Sequence, residues 1–286
     1  AAIFFFFCLT PFILKAEDQH EYTLAVTDIT GLEELQREFH KFQDVLSQRT
    51  GLKFKLFPVT SRTTAVEAMT SKKLDFVLTG PAEYVVMRKK TNGNAVVGFA
   101  RPDYFSSIIV LESSGIRSAE DLKGKKIALG DFGSTSYHLA PMQLLKDYGL
   151  DPNHDVKAVH VSKNIAWDAL KKGNVDAVGL NYDRFLLLRD SDKQMTADKF
   201  RVVARGPDLP NDVIMAGAHV SSDVLQKVKK AFAENGVEFG QAILAGARNA
   251  KYKEIHFLTN ISDKDYNYVR SMYTTIGYPE FAEFLG

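Results

Sequence analysis

Two stretches of this chain repeat one another. Laid over residues 166–186, residues 65–85 pair AVEAMTSKKLDFVLTGPAEYV with AWDALKKGNVDAVGLNYDRFL, an offset of 101. Ala65 meets Ala166, Glu67 meets Asp168, Ala68 meets Ala169, Asp75 meets Asp176 and Val77 meets Val178. Each stretch reads as a helix, a tight turn, a buried strand, a loop and a second helix. The general grammar of such units explains part of the match. Repetition at the spacing of a small domain nevertheless points to two similar lobes rather than one continuous sheet. Ligands of open α/β sheets bind beyond the carboxyl ends of the strands. Two lobes facing each other put such ends on both walls of a cleft.

The remainder of the chain carries the same rhythm. Residues 22–27 read as a strand, followed by a helix over 32–49 with Leu32, Leu35, Phe39, Phe42 and Leu46 on one face. A strand at 53–58, a helix at 64–71 and an apolar strand at 75–78 come next. After Tyr104, strands centre near Ile108, Ile127, Val159, Val175 and Val202, with helices between them. From Ser221 the pattern is helical, through Val224, Val228 and Phe232, then 266–273 and 281–285. Alternation of this kind predicts an α/β fold with mainly parallel sheets. We expect residues 21–105 with 208–286 to form one lobe and 106–207 the other, the chain crossing near 103–107 and 205–209.

Residues 1–14 are uncharged and include the run Phe4 to Phe7, before Lys15-Ala16-Glu17-Asp18. An apolar stretch of this length is too short to span a bilayer and suits the core of an export signal. Residues 1–16 are therefore read as a signal-peptide remnant, with a buried strand or helix as the alternative. Cys8, the only cysteine, lies inside it. A chain trimmed there has no thiol, which agrees with an oxidising compartment such as the periplasm and excludes a cysteine nucleophile. Net charge is only +1, from 36 basic and 35 acidic residues, so broad nucleic-acid binding has no electrostatic basis. The seven histidines lack metal-ligand spacing. No metal and no cofactor is expected.

The sharpest local signal is Gly130-Asp131-Phe132-Gly133-Ser134-Thr135-Ser136, between the strand at 126–129 and a helix through Leu145. One hydroxyl residue at a helix start caps it. Three in succession exceed what a cap requires. Free N–H groups, the positive end of the helix dipole and several hydroxyl donors together suit an anion. The segment lacks the lysine and spacing of a nucleotide P-loop.

Together with Ser118-Ala119-Glu120-Asp121-Leu122-Lys123-Gly124-Lys125-Lys126, this segment resembles the phosphate-, phosphite- and phosphonate-binding proteins of ABC importers, which have the type II periplasmic-binding fold. Thr79-Gly80-Pro81, Tyr104, Lys172-Gly173-Asn174-Val175-Asp176 and Leu209-Pro210-Asn211-Asp212 match as well. The likeness covers about residues 21–245. It implies that Ser134, Thr135 and Ser136 hold an oxyanion, that Tyr104 hydrogen-bonds it, and that Asp183 and Asp212 accept protons from the ligand or its amino group. The chain departs from the pattern at Arg62, where aminophosphonate-binding relatives carry a tyrosine, and at Lys163, where they carry a histidine. Those two positions also differ by 101. In pseudo-symmetric lobes they would approach an anion from opposite walls, Arg gripping two oxygens and Lys supplying a compact charge. Solvated surface cations are the alternative.

The resemblance implies a monomeric, exported solute-binding protein that closes on its ligand and docks on a membrane permease. A sensor domain of the same fold is the first rival. An enzyme is the second, although no nucleophile–base pair is visible. Two carboxylates in an anion site would also reject sulfate, which has no proton to offer near neutral pH. An unbridged carboxylate there costs several kcal/mol, on the order of a hundredfold in preference.

Overall fold

The structure is a computed structural model that describes residues 20–282, and within that span not the side chains of Arg62 and Lys163. The export-signal reading of residues 1–16 lies outside the described residues. Among them the chain forms strands β1 (Glu21–Val26), β2 (Lys53–Leu56), β3 (Phe76–Thr79), β4 (Asn94–Ala100), β5 (Phe105–Leu111), β6 (Lys126–Leu129), β7 (Lys157–His160), β8 (Ala177–Asn181), β9 (Phe200–Asp208), β10 (Asp212–Ala216) and β11 (His256–Leu258). The helices are α1 (Leu32–Thr50), α2 (Arg62–Thr70), α3 (Pro81–Thr91), α4 (Ala140–Asp147), α5 (Lys163–Lys171), α6 (Tyr182–Ser191), α7 (Ser222–Leu244) and α8 (Asn267–Thr275).

The strands form two sheets, ordered β11-β4-β10-β3-β1-β2 and β7-β6-β8-β5-β9. Without the edge strand β11, the two share one plan. In each, three parallel strands are followed by one antiparallel strand that has arrived from the other lobe, β10 beside β3 and β5 beside β8. The expected two-lobed α/β architecture is therefore what the chain adopts, its parallel strands interrupted by these crossing strands.

The repeat seen in the sequence is carried into three dimensions. Helices α2 and α5 start and end 101 residues apart, as do the starts of β3 and β8 and of α3 and α6. The turn between helix and strand needs a left-handed residue, supplied by Lys72 (φ 60°) in one lobe and Gly173 (φ 70°) in the other. The carboxylate that follows does the same work twice. Asp75 accepts from Thr23 N at 2.8 Å and Asp176 from Lys126 N at 2.8 Å, each tying its strand to the neighbouring strand's start.

Packing follows from which faces are apolar. In α1, Leu35, Phe39, Phe42 and Leu46 are buried against the first sheet, where Phe42 meets Phe232 and Phe239 of α7. Leu32, at the first helical position, stays exposed instead of joining that face. Gly51 ends the helix in a left-handed turn, its N–H bonded to Ser47 O. Helices α2, α3 and α8 cover the other face of the same sheet. Trp167 stacks on Phe200 inside the second lobe, a packing role.

Two short segments, 101–104 and 209–211, carry the chain between sheets. They are bonded to one another through Leu209 N and Tyr104 O at 2.8 Å. Helix α8 forms a third link, since Thr275 Oγ1 donates to Gln143 and Tyr268 OH to Asp147 of the second lobe.

Asp75 is buried and also bonds His219, whereas Asp176 is partly exposed. Asp75→Ala leaves Thr23 N buried without an acceptor. It should cost about 2–3 kcal/mol in urea unfolding, and Asp176→Ala about 1 kcal/mol or less. Equal losses would contradict this difference in burial.

Candidate functional site

The segment after β6 folds in an unusual way. A Cβ at Gly130 would lie 2.6 Å from Tyr137 Cβ, so only glycine lets the turn close, and Gly133 adopts φ 85°. The chain then enters a widened turn of the π type, Thr135–Leu139, that runs into α4. Such turns displace one residue from the helical ladder and are frequent at functional sites. Ser134 makes no side-chain capping bond, so simple capping does not account for it. Thr135 and Ser136 are buried.

Thr135 reaches across to the other lobe. Its Oγ1 accepts from Ala82 N, in the first turn of α3, at 3.0 Å. Accepting uses a lone pair and leaves the hydroxyl proton to donate. Ser106 Oγ donates to Ser136 O at 3.1 Å and holds the turn against β5. Tyr104, in the crossing segment, is buried, and burial pushes its phenol up to about 12 against the opposing pull of Arg101. The Ser136 side chain offsets part of that rise. Ser134, Thr135, Ser136 and Tyr104 are thus brought together at the boundary between lobes.

Asp212, the first residue of β10, is buried and not alone. Tyr252 OH donates to its Oδ2 at 2.8 Å, Arg101 Nη2 lies 3.7 Å from Oδ1, and Lys251 Nζ lies 3.7 Å from Oδ2. Lys251 also bonds Asp28 at 3.2 Å. Burial alone would raise the Asp28 carboxyl, but Lys251 and Arg248 hold it below its ordinary value. The Arg101 guanidinium lies 3.7 Å from the Tyr104 ring centroid, a cation over a π face. Burial works against its charge, yet Asp212 keeps it firmly protonated.

Asp183 stands in the other lobe at the opening of α6. Its Oδ1 accepts from Arg184 N at 2.7 Å and from the Asn181 side-chain amide. It stands 101 residues after Ala82, at the second position of α6 as Ala82 is at the second position of α3. Arg62 and Lys163 open α2 and α5, the paired helices of the repeat, and their side chains lie outside the described residues. Tyr84 belongs to the core, fully buried and donating to Asp263.

The architecture and this cluster can be set beside known proteins. Residues 25–265 match a family described as the periplasmic substrate-binding protein of phosphonate ABC transporters. The chain belongs to this family. Among its relatives is the phosphate-import protein PhnD of Mycolicibacterium smegmatis, 26% identical over 233 residues, covering 74% of this chain and 71% of that one. Among solved structures, PhnD1 of Prochlorococcus marinus in complex with methylphosphonate is 19% identical with a TM-score of 0.67, covering 90% of this chain and 98% of that one. A binding protein of the ABC phosphonate transporter of Pseudomonas aeruginosa is 20% identical with a TM-score of 0.63, covering 89% and 86%. Both have the same two-lobed fold. Phosphonate-binding family members are components of an importer, and the sensor reading gains no support. Among the described residues no helix is long and apolar enough to cross a membrane.

Arg101, Lys251, Tyr252 and Asp28 are absent from the sequence reading of this family member. Arg101 had a signal, since it directly follows a strand and stands three residues before Tyr104. Lys251 and Tyr252 lie in a short turn after α7 with no pattern to mark them.

His138 sets a pH limit on the widened turn. Its Nδ1 accepts from Gly133 N at 3.0 Å, which requires the neutral ring. Burial, then the neighbouring His160, lowers its pKa from 6.5 to about 4. The unfolded chain therefore binds a proton that the folded one refuses, so this contribution is complete above pH 6.5 and is lost as pH falls toward 4. Between pH 7 and 5 the protein should lose about 2 kcal/mol more than His138→Asn in urea unfolding. Identical pH profiles would show that His138 does not titrate this way.

Proposed function

We propose that this chain binds a small phosphorus oxyanion, a phosphonate, phosphite or phosphate, in the cleft between its lobes and delivers it to the membrane permease. Residues 21–105 with 208–286 act as one lobe and 106–207 as the other, hinged at 101–104 and 209–211. The observation that carries this reading is the cross-lobe bond from Ala82 N to Thr135. It brings the buried hydroxyls of one lobe against a helix opening of the other, where an anion meets donors from both sides.

Ser134, Thr135 and Ser136 supply hydroxyl donors and Tyr104 a phenol. Arg62 and Lys163, each at the first position of its helix, approach from opposite lobes. Ligand contacts to both lobes favour the closed form, so ligand and closure stabilise each other. The protein acts as a monomer after export and makes or breaks no bond. The relative named for phosphate import and the neighbour holding methylphosphonate support this ligand class.

Asp212 enters this reading as a paired carboxylate, which weakens its repulsion of a fully deprotonated anion. Discrimination against sulfate then falls mainly to Asp183. A monoprotonated phosphorus anion can donate to that carboxylate, and sulfate cannot.

Calorimetric titration with phosphate, phosphite, methylphosphonate, 2-aminoethylphosphonate and sulfate tests the proposal. At least one phosphorus anion should bind, with sulfate weaker by about tenfold or more. Asp183→Asn should narrow that gap. Silence toward every phosphorus anion would refute the assignment. Thr135→Ala removes a buried hydrogen bond to a charged ligand and should weaken the best ligand by ~1.5–3 kcal/mol, about tenfold or more. Unchanged affinity would remove the hydroxyl turn from the site.

A further inference from the structure

Arg101 is a buried cation whose bonding is incomplete. Its side chain is 8% exposed, its nearest carboxylate contact is 3.7 Å, beyond hydrogen-bond range, and among the described residues its Nε has no partner. A guanidinium taken out of water needs acceptors for its N–H groups, and the ring of Tyr104 offers only a π face. Arg101 sits in the crossing segment 101–104, against Asp212 and the ring of Tyr104. A second buried atom without a partner, Asn181 Oδ1, ends β8 on the opposite wall, where Ser106 pairs with Asn181 across the sheet. A donor and an acceptor are both left open at the boundary where the ligand is placed.

The carboxylate beside Arg101 is already matched. Asp212 has Arg101 on one oxygen, and Tyr252 OH and Lys251 on the other. Lys251 in turn meets Asp28. Two cations and two carboxylates alternate along this row and balance without help from a ligand. An ammonium group brought to Asp212 would displace nothing and would face both Arg101 and Lys251. Like charges at that range in a partly desolvated site repel strongly.

Resting on the function proposed above, we propose that Arg101 grips the bound anion directly and that the site takes a phosphorus oxyanion without an ammonium group. Arg101 occupies the place an aminoalkyl ligand would need, and its planar fork suits two oxygens of the anion. The acceptor at Asn181 stands beside Asp183, which takes the proton of a monoprotonated anion, and serves a second P–OH only where the anion carries two protons. Because Arg101 lies in a crossing segment, gripping the ligand also fixes the segment about which the lobes move.

Calorimetry on the full chain with methylphosphonate and 2-aminoethylphosphonate tests this. The wild type should bind methylphosphonate at least about tenfold tighter. Arg101→Lys keeps a cation beside Asp212 but loses the fork and Nε. It should keep its melting temperature and lose at least about tenfold in methylphosphonate affinity. The double change Arg101→Gln with Asp212→Asn removes the pair together, so no unpaired charge is buried. It should fold and lose about a hundredfold, with the preference over 2-aminoethylphosphonate reduced. Equal wild-type affinity for the two ligands, or either folded variant binding methylphosphonate like the wild type, overturns the inference and leaves the proposed function standing. A wild type that binds no phosphorus anion overturns both.

Discussion

Arg101 leaves the end of β4 and Asp212 begins β10, and the two meet at 3.7 Å where the chain crosses between lobes. Much else is arranged around that contact. It holds a charged pair in a buried place, which is tolerable only while both partners remain and their other bonds are made. Tyr104 roofs the guanidinium, Tyr252 and Lys251 complete the carboxylate, and Leu209 N ties the second crossing segment to Tyr104 O. In the function proposed above, the hinge and the ligand site therefore share residues.

The two lobes reach this point by the same construction. Each uses a helix, a left-handed turn and an aspartate that bonds the neighbouring strand, followed by a buried strand that leads into the next helix. The exchange of one antiparallel strand, β10 for β5, welds the sheets together and keeps the connections short. Symmetry in the backbone does not extend to the side chains at the openings of α3 and α6. At the opening of α3 the chain presents Ala82, whose N–H donates to Thr135, and at the matching place in α6 it presents Asp183.

The fold was legible because its signals are local and repeated. Apolar spacing marked α1, the Lys72 and Gly173 turns share a register, and an offset of 101 in sequence returned as the same offset in helices and strands. The Ser134–Ser136 run was legible for its composition, since consecutive hydroxyls after a strand have few structural uses. Its widened turn was not, because that geometry depends on Gly130 packing against Tyr137 and on His138 accepting from Gly133. Asp212 was visible as a residue but not in its pairing. Residues 28, 101, 212, 251 and 252 come together only after the chain has crossed twice and returned through α7, and no spacing rule spans such distances.

A crystal structure of the protein with methylphosphonate would test the central claim most directly. The phosphorus oxygens should lie between the lobes, within hydrogen-bond reach of the Thr135 and Ser136 hydroxyls and of Arg101 Nε. A ligand bound elsewhere, or one held between the lobes with Arg101 turned away from it and still paired only with Asp212, would contradict the account.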